Sequence, residues 1–338
     1  MLSAVARAAW LLPVIAIFCG CESFDNCPTR EDLAASLGEL PDRLSRTGLF
    51  SELDDEQEVI ADGVVAYRPG FELWSDGASK RRWLSLPEGG VIDVRDPDDW
   101  QFPKGTKLWK EFTRDGTRVE TRLLFKFGDG EADWSAAAYI WRADGSDADL
   151  RPEGATNVRG TAHDVPEATR CMGCHGGRRG RVLGFSAVQL ASATGDDAPT
   201  LGDLFAAGVL SAEVADATIP GKASERAALG YLHANCSHCH NGSRPENDGP
   251  RCYDPRKDLD MFLRLSRLDS VRDTATYETV VGSAVDPGDP EGSDLFERVS
   301  RRSEGEIGTD QMPPLATERV DDDGVAILRK WILEIEPE

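Results

Sequence analysis

Two pentapeptides concentrate the chemistry of this chain: Cys171-Met172-Gly173-Cys174-His175 and Cys236-Ser237-His238-Cys239-His240. Both read Cys-x-x-Cys-His. Two thiols at this spacing can add across the two vinyl groups of one haem, and the adjoining histidine then lies beneath the iron as an axial ligand. The expected cofactor is therefore covalently attached haem c, two per chain, held by Cys171, Cys174 and His175 and by Cys236, Cys239 and His240. Three other chemistries use similar residues. A thioredoxin-like dithiol should follow a strand in a βαβ unit, and neither copy does. Structural zinc could use two Cys-x-x-Cys pairs, but these are more than sixty residues apart and both histidines would be idle. A disulfide within each pair leaves the histidines equally unexplained.

An iron bound to His240 needs a partner on its other face. Met312, in Gln311-Met312-Pro313-Pro314, offers a thioether in a proline-stiffened loop before the final helix. A methionine opposite histidine raises the reduction potential relative to two imidazoles. The iron bound to His175 is harder to complete, because the chain has only five histidines. With His238 set aside as internal to its motif, His163 and His233 remain. His163, twelve residues before His175, is the favoured candidate. An open iron site is the alternative. Arg178, Arg179 and Arg181 follow the first motif and suit haem propionates. The acidic runs Asp96-Pro97-Asp98-Asp99 and Asp321-Asp322-Asp323 lack the alternating spacing of a calcium loop.

The formal net charge is −22, which removes nucleic acid as an expected partner. Arg7 followed by the apolar stretch 8 to 18 reads as an export signal covering residues 1 to 20. Gly20 before Cys21 resembles a lipoprotein cleavage site, so Cys21 is the expected lipidation point and the lipid anchor the only expected membrane contact. Of the eight cysteines, Cys27 and Cys252 are left over, a pair that could form a disulfide in an oxidising compartment.

These sites need elements to hold them. Residues 21 to 58 read as an arm with one helix, in which Leu33, Leu37, Leu40 and Leu44 recur at helical spacing. Residues 59 to 193 carry short β-forming runs, separated by Gly, Pro and Asp turns, together with the first motif. Trp74, Trp83, Trp100, Trp109, Trp134 and Trp141 fall there. We expect an antiparallel β-sandwich-like domain with a tryptophan-rich core. Residues 194 to 224 read as a connector. Residues 225 to 338 show helical patterning, from a helix over 227 to 235 leading into Cys236 to a final helix with Val325, Leu328, Ile332 and Ile335 on one stripe. The expected fold class is α+β and multidomain, a β-sandwich-like domain followed by an all-α domain.

Cys236, Cys239, His240, Met312 and Trp331 together make residues 225 to 338 resemble a class I cytochrome c domain, with a long insertion between His240 and Met312 as the departure. The segments Phe71-Glu72-Leu73-Trp74-Ser75-Asp76-Gly77 and Phe102-Pro103-Lys104-Gly105-Thr106, with the stretch 163 to 190, resemble a family of secreted bacterial dihaem proteins over nearly the whole mature chain. Some members of that family are joined to quinoprotein-type sugar dehydrogenases. The resemblance implies electron transfer with redox protein partners, such a dehydrogenase among them, in the periplasm or at the cell surface. Two other functions stay open: a dihaem peroxidase or reductase with an open first iron, and a docking module whose haems only relay electrons.

Overall fold

A computed structural model of the chain describes residues 37–38, 40–54, 56–194, 199–215, 217–243, 258–302, 311–314 and 317–337. The export segment, Cys21, and the Cys27–Cys252 pair lie outside the described residues. No helix among the described residues is long and apolar enough to cross a membrane.

Eight strands run in chain order: β1 Phe50–Leu53, β2 Glu58–Ile60, β3 Val65–Ala66, β4 Ser79–Ser85, β5 Lys107–Arg114, β6 Thr117–Lys126, β7 Trp134–Trp141 and β8 Ala148–Leu150. β1 and β2 form a two-stranded ribbon, and β3 to β8 form one six-stranded sheet in sequential order. Every pairing is antiparallel. The β5–β6 hairpin turns on Asp115 and Gly116, both at positive φ (49° and 76°), the left-handed pair that matches strand twist.

One face of the sheet buries Trp83, Trp109, Leu123, Tyr139 and Trp141 against Leu40, Leu44 and Leu49 from the N-terminal stretch. The opposite face carries Leu84, Leu108 and Leu124, packed against Phe102, Phe185, Val188, Leu204 and Leu229. Loops and helices supply these partners. The expected β-sandwich is therefore corrected to one six-stranded sheet, covered on one face by the N-terminal stretch and the two-stranded β1–β2 ribbon and on the other by loops and helices. Period-two burial marks a strand's inner face but not the kind of element that covers it.

The helices with described limits are α1 Cys171–His175, α2 Ala187–Ala191, α3 Leu201–Ala206, α4 Ala223–Asn235, α5 Ala275–Val280, α6 Asp294–Val299 and α7 Asp322–Leu333. Only α4, with 13 residues, and α7, with 12, exceed six. The expected all-α class I cytochrome c-like domain over 225 to 338 is not seen, and the regular structure is mostly β, in two sheets. The physical reason is local. Gly282, Pro287, Gly288, Pro290 and Gly292 punctuate the stretch between α5 and α6, where bridges Val281–Val285 and Asp286–Asp289 replace helix. Further, α4 does not close a separate bundle. Leu229 joins the sheet's cluster while Ala228 and Leu232 join a C-terminal cluster with Leu328, Trp331 and Ile332 of α7. At Gly230 a side chain would collide with the Phe71 ring, whose nearest atom lies 2.1 Å from an ideal Cβ.

Candidate cofactor site at the two cysteine segments

The first segment forms α1, a single turn entered through the 3-10 turn Ala168–Arg170. It borders a cavity of about 630 Å³, whose wall includes Cys171, Cys174, His175, Lys110, Arg122 and His238. That volume lies in the range of small-molecule and cofactor sites. His175 Nδ1 lies 2.7 Å from the carbonyl oxygen of Arg181. A carbonyl only accepts, so Nδ1 carries the proton and Nε2 keeps its lone pair, the state a metal ligand needs. Burial and the nearby Lys110 push the His175 pKa down to about 4, so the ring is neutral near pH 7.

The thiols differ. Burial pushes Cys171 up to about 11. Cys174 falls well below the ordinary thiol value, first through a hydrogen bond with Cys239 and then through one with His238. A thiol biased toward thiolate is the more nucleophilic of the pair.

The sheet adds a feature that residue spacing did not reveal. Register places Arg82 on β4 opposite Lys110 on β5, and Lys110 opposite Arg122 on β6. Like charges directly opposite on adjacent strands destabilise a sheet. Arg122 is compensated by Glu120 at 2.6 Å, and Arg82 by Glu72 at 3.5 Å. Lys110 has no ion-pair partner among the described residues. Its pKa is driven down to about 7 by burial and by Arg82, Arg122 and Lys80. An amine that titrates near neutrality at the wall of a cavity, with no ion-pair partner among the described residues, fits an occupant whose acidic arm would restore its charge. Thiols for two vinyl groups, a neutral imidazole and this amine together fit a porphyrin with carboxylate side arms.

The arginines after the first motif do not supply that charge. Arg178 packs its guanidinium 3.6 Å from the Phe262 ring centre and donates to the Asp98 carbonyl. Arg179 pairs with Glu131 at 3.7 Å, and Arg181 Nε donates to the Glu131 carbonyl. Asp98 and Asp99, from the acidic run, accept from Leu265 N at 3.0 Å and Gly180 N at 3.1 Å and so fasten loops.

His163 also reaches the cavity wall, but its Nε2 lies 2.7 Å from Glu120 Oε1. Glu120, fully buried, is thus held by both His163 and Arg122. His233 Nδ1 accepts from Leu263 N at 3.2 Å, and its ring sits 4.9 Å from that of Phe262.

The second segment begins where α4 ends. Cys236 and Met312 both pack against the C-terminal cluster that contains Trp331. Burial drives Cys236 up to about 12. His240 is buried nearby in sequence, and its carbonyl accepts from Met261 N at 2.9 Å. Cys239 has different surroundings. Its Sγ, the Cys174 Sγ and a ring nitrogen of His238 lie within 4.8 Å of one another. The donor types of the second segment fit a haem ligand set, although its two thiols do not share one environment.

The two segments are therefore neighbours in space. Asn241 Nδ2 bridges them, donating to Gly177 O at 3.2 Å and to Ser237 O at 2.8 Å. Sequence reasoning missed Lys110 and the cationic row, which only strand register reveals. It also set aside His238, which the fold delivers to the first segment's cavity. Comparisons with family models, with curated proteins and with solved structures return no match, so the chemistry of this paired site carries the functional reading.

Proposed function

We propose that the chain is an exported electron carrier with two covalently attached haems, one at each Cys-x-x-Cys-His segment. The observation that carries this reading is the convergence of Cys171, Cys174, the neutral His175 and Lys110, which has no ion-pair partner among the described residues, on one cavity of about 630 Å³. Iron held there supplies one-electron chemistry between its ferric and ferrous states. The chain's residues do the rest. Cys171 and Cys174 would tether the ring. His175, oriented by the Arg181 carbonyl, would present Nε2. Lys110, flanked on the neighbouring strands by Arg82 and Arg122, would receive the ring's carboxylate arms. The adjacency of the two segments, bridged by Asn241, supports short internal transfer.

The same reading places the mature chain outside the cytoplasm, anchored through lipidated Cys21. Its electrons are exchanged with a redox protein, a quinoprotein-type dehydrogenase being the partner the resemblance suggests. Purified, exported protein should give a pyridine haemochrome of two haems per chain and bleach and recover reversibly with dithionite and ferricyanide; no haemochrome would overturn the proposal.

The cluster of Cys174, His238 and Cys239 favours a second reading, a metal site of two thiolates and one imidazole. Elemental analysis separates the two: zinc near one equivalent without haem iron supports the metal site, and two equivalents of iron support the carrier.

A further inference from the structure

The iron that His175 would hold has a second face, and the fold narrows the choice of what meets it. His163 has its Nε2 at Glu120, and His233 points Nδ1 at the Leu263 amide. Met261 is buried in the C-terminal cluster, and Met312 packs on that same cluster. Met172 has its sulfur 3.8 Å from Arg181 Nη1. His238 is different. It is buried, it lines the same cavity as His175, and its ring lies within 4.8 Å of the Cys174 sulfur.

We propose that His238, an imidazole delivered from inside the second Cys-x-x-Cys-His segment, is the second axial ligand of the iron carried by His175. This inference rests on the dihaem reading and deepens it. In the protein alone, His238 is hydrogen-bonded to the Cys174 thiol. Thioether formation would add the Cys174 sulfur to one carbon of a haem vinyl group and the thiol's proton to the other, leaving a neutral sulfur without a proton to donate, so haem attachment at Cys174 would weaken the bond that holds His238 back. The stretch Ser237-His238-Cys239-His240 would then serve both centres. His238 would ligate one iron, while Cys239 and His240 would bind the other ring and its iron. One residue, Cys239, separates the two histidines along the backbone. The two centres could not be altered independently at this point, and the coupling would be built into the second motif.

The test uses the full-length, haem-loaded chain. Near-infrared magnetic circular dichroism of the oxidised wild type should show one bis-imidazole centre and one imidazole–thioether centre. His238→Ala should turn one of the two centres high-spin and let the reduced protein bind one equivalent of carbon monoxide. Added imidazole should restore the low-spin spectrum, which a merely structural defect would not permit. His163→Ala should leave both spectra unchanged. A wild type without a bis-imidazole centre would overturn the proposal even if the variant fails to mature. So would a His238→Ala protein whose two centres both stay low-spin and inert to carbon monoxide, or a Lys110→Met protein that opens the first centre instead. Haemochrome stoichiometry is measured on each sample. Absence of haem in the wild type refutes the dihaem reading itself, whereas two haems with the wrong ligands refute only the His238 assignment.

Discussion

Lys110 offers the most quantitative prediction, because its half-buried position, without an ion-pair partner among the described residues, has a pH signature. Its pKa is lowered from 10.5 to about 7 by burial and three neighbouring cations. At 1.36 kcal/mol per unit, that shift costs the fold up to about 5 kcal/mol below pH 7, where the amine is charged in both folded and unfolded chains. Between about 7 and 10.5 the unfolded chain binds the extra proton, so stability rises with pH. Lys80, lowered to about 8 mainly by burial, adds a similar rise that starts one unit higher. The buried thiols act in the opposite direction once unfolded cysteines ionise near pH 9. The useful window is therefore pH 7 to 9. There, chain produced without haem should gain about 2 to 3 kcal/mol from Lys110 alone, read by urea denaturation. Lys110→Met should be more stable than the wild type at pH 6 and should lose that part of the slope, keeping only the rise that begins near pH 8. Haem attachment should flatten the wild-type slope, because a carboxylate arm beside Lys110 restores the charged amine. A wild type with no slope between pH 7 and 9, or a Lys110→Met protein less stable than the wild type at pH 6, would refute the reasoning.

Other consequences can be measured on the same preparations. Glu120→Ala removes the buried carboxylate that holds half-buried Arg122 and buried His163, and should cost about 1 to 3 kcal/mol in urea titrations. Burial raises the Glu120 pKa, but Arg122 and His163 outweigh it and hold the net value below the usual one. Its stabilising effect is therefore present at neutral pH and should fade as acid protonates the folded carboxyl. Gly230→Ala drives a methyl into the Phe71 ring, where the nearest atom would be 2.1 Å away, and should destabilise by about 1 to 3 kcal/mol; pairing it with Phe71→Leu should recover part of the loss. Met312→Ala should lower the reduction potential of one centre and leave the other unchanged, as read by spectroelectrochemical titration.

Some of this protein could be read from its residues directly. The final helix starts beside Asp321, whose carboxylate caps Gly324 N at 3.1 Å, and its stripe buries Leu328 and Ile332 completely. The helix that leads into Cys236 and the strand around Leu123 also lie where their spacing put them. Tryptophans 83, 100, 109, 134 and 141 are buried, as a tryptophan-rich core requires.

What the residues hid is pairing across distance. A strand's alternation could not say that Leu37, Leu40 and Leu44, with a small two-stranded ribbon rather than a full second sheet, help cover Trp109. Helical patterning between 225 and 338 suggested a closed all-α unit, yet α5 and α6 stop after six residues and α4 shares its apolar face with the sheet. Arg82, Lys110 and Arg122 are remote in sequence and become one charged row only through register. His238 looked like filler between two cysteines because its neighbour Cys174 lies 64 residues away in the chain.

Covalent haem attachment at both segments requires four cysteine sulfurs bonded to porphyrin carbon. Mass spectrometry of proteolytic peptides from exported protein tests this directly. The peptide containing Cys171 and Cys174 and the peptide containing Cys236 and Cys239 should each carry the added mass of one haem, with neither thiol of a pair open to alkylation. Recovery of both peptides at their bare amino-acid masses, with all four thiols alkylated, would contradict the account.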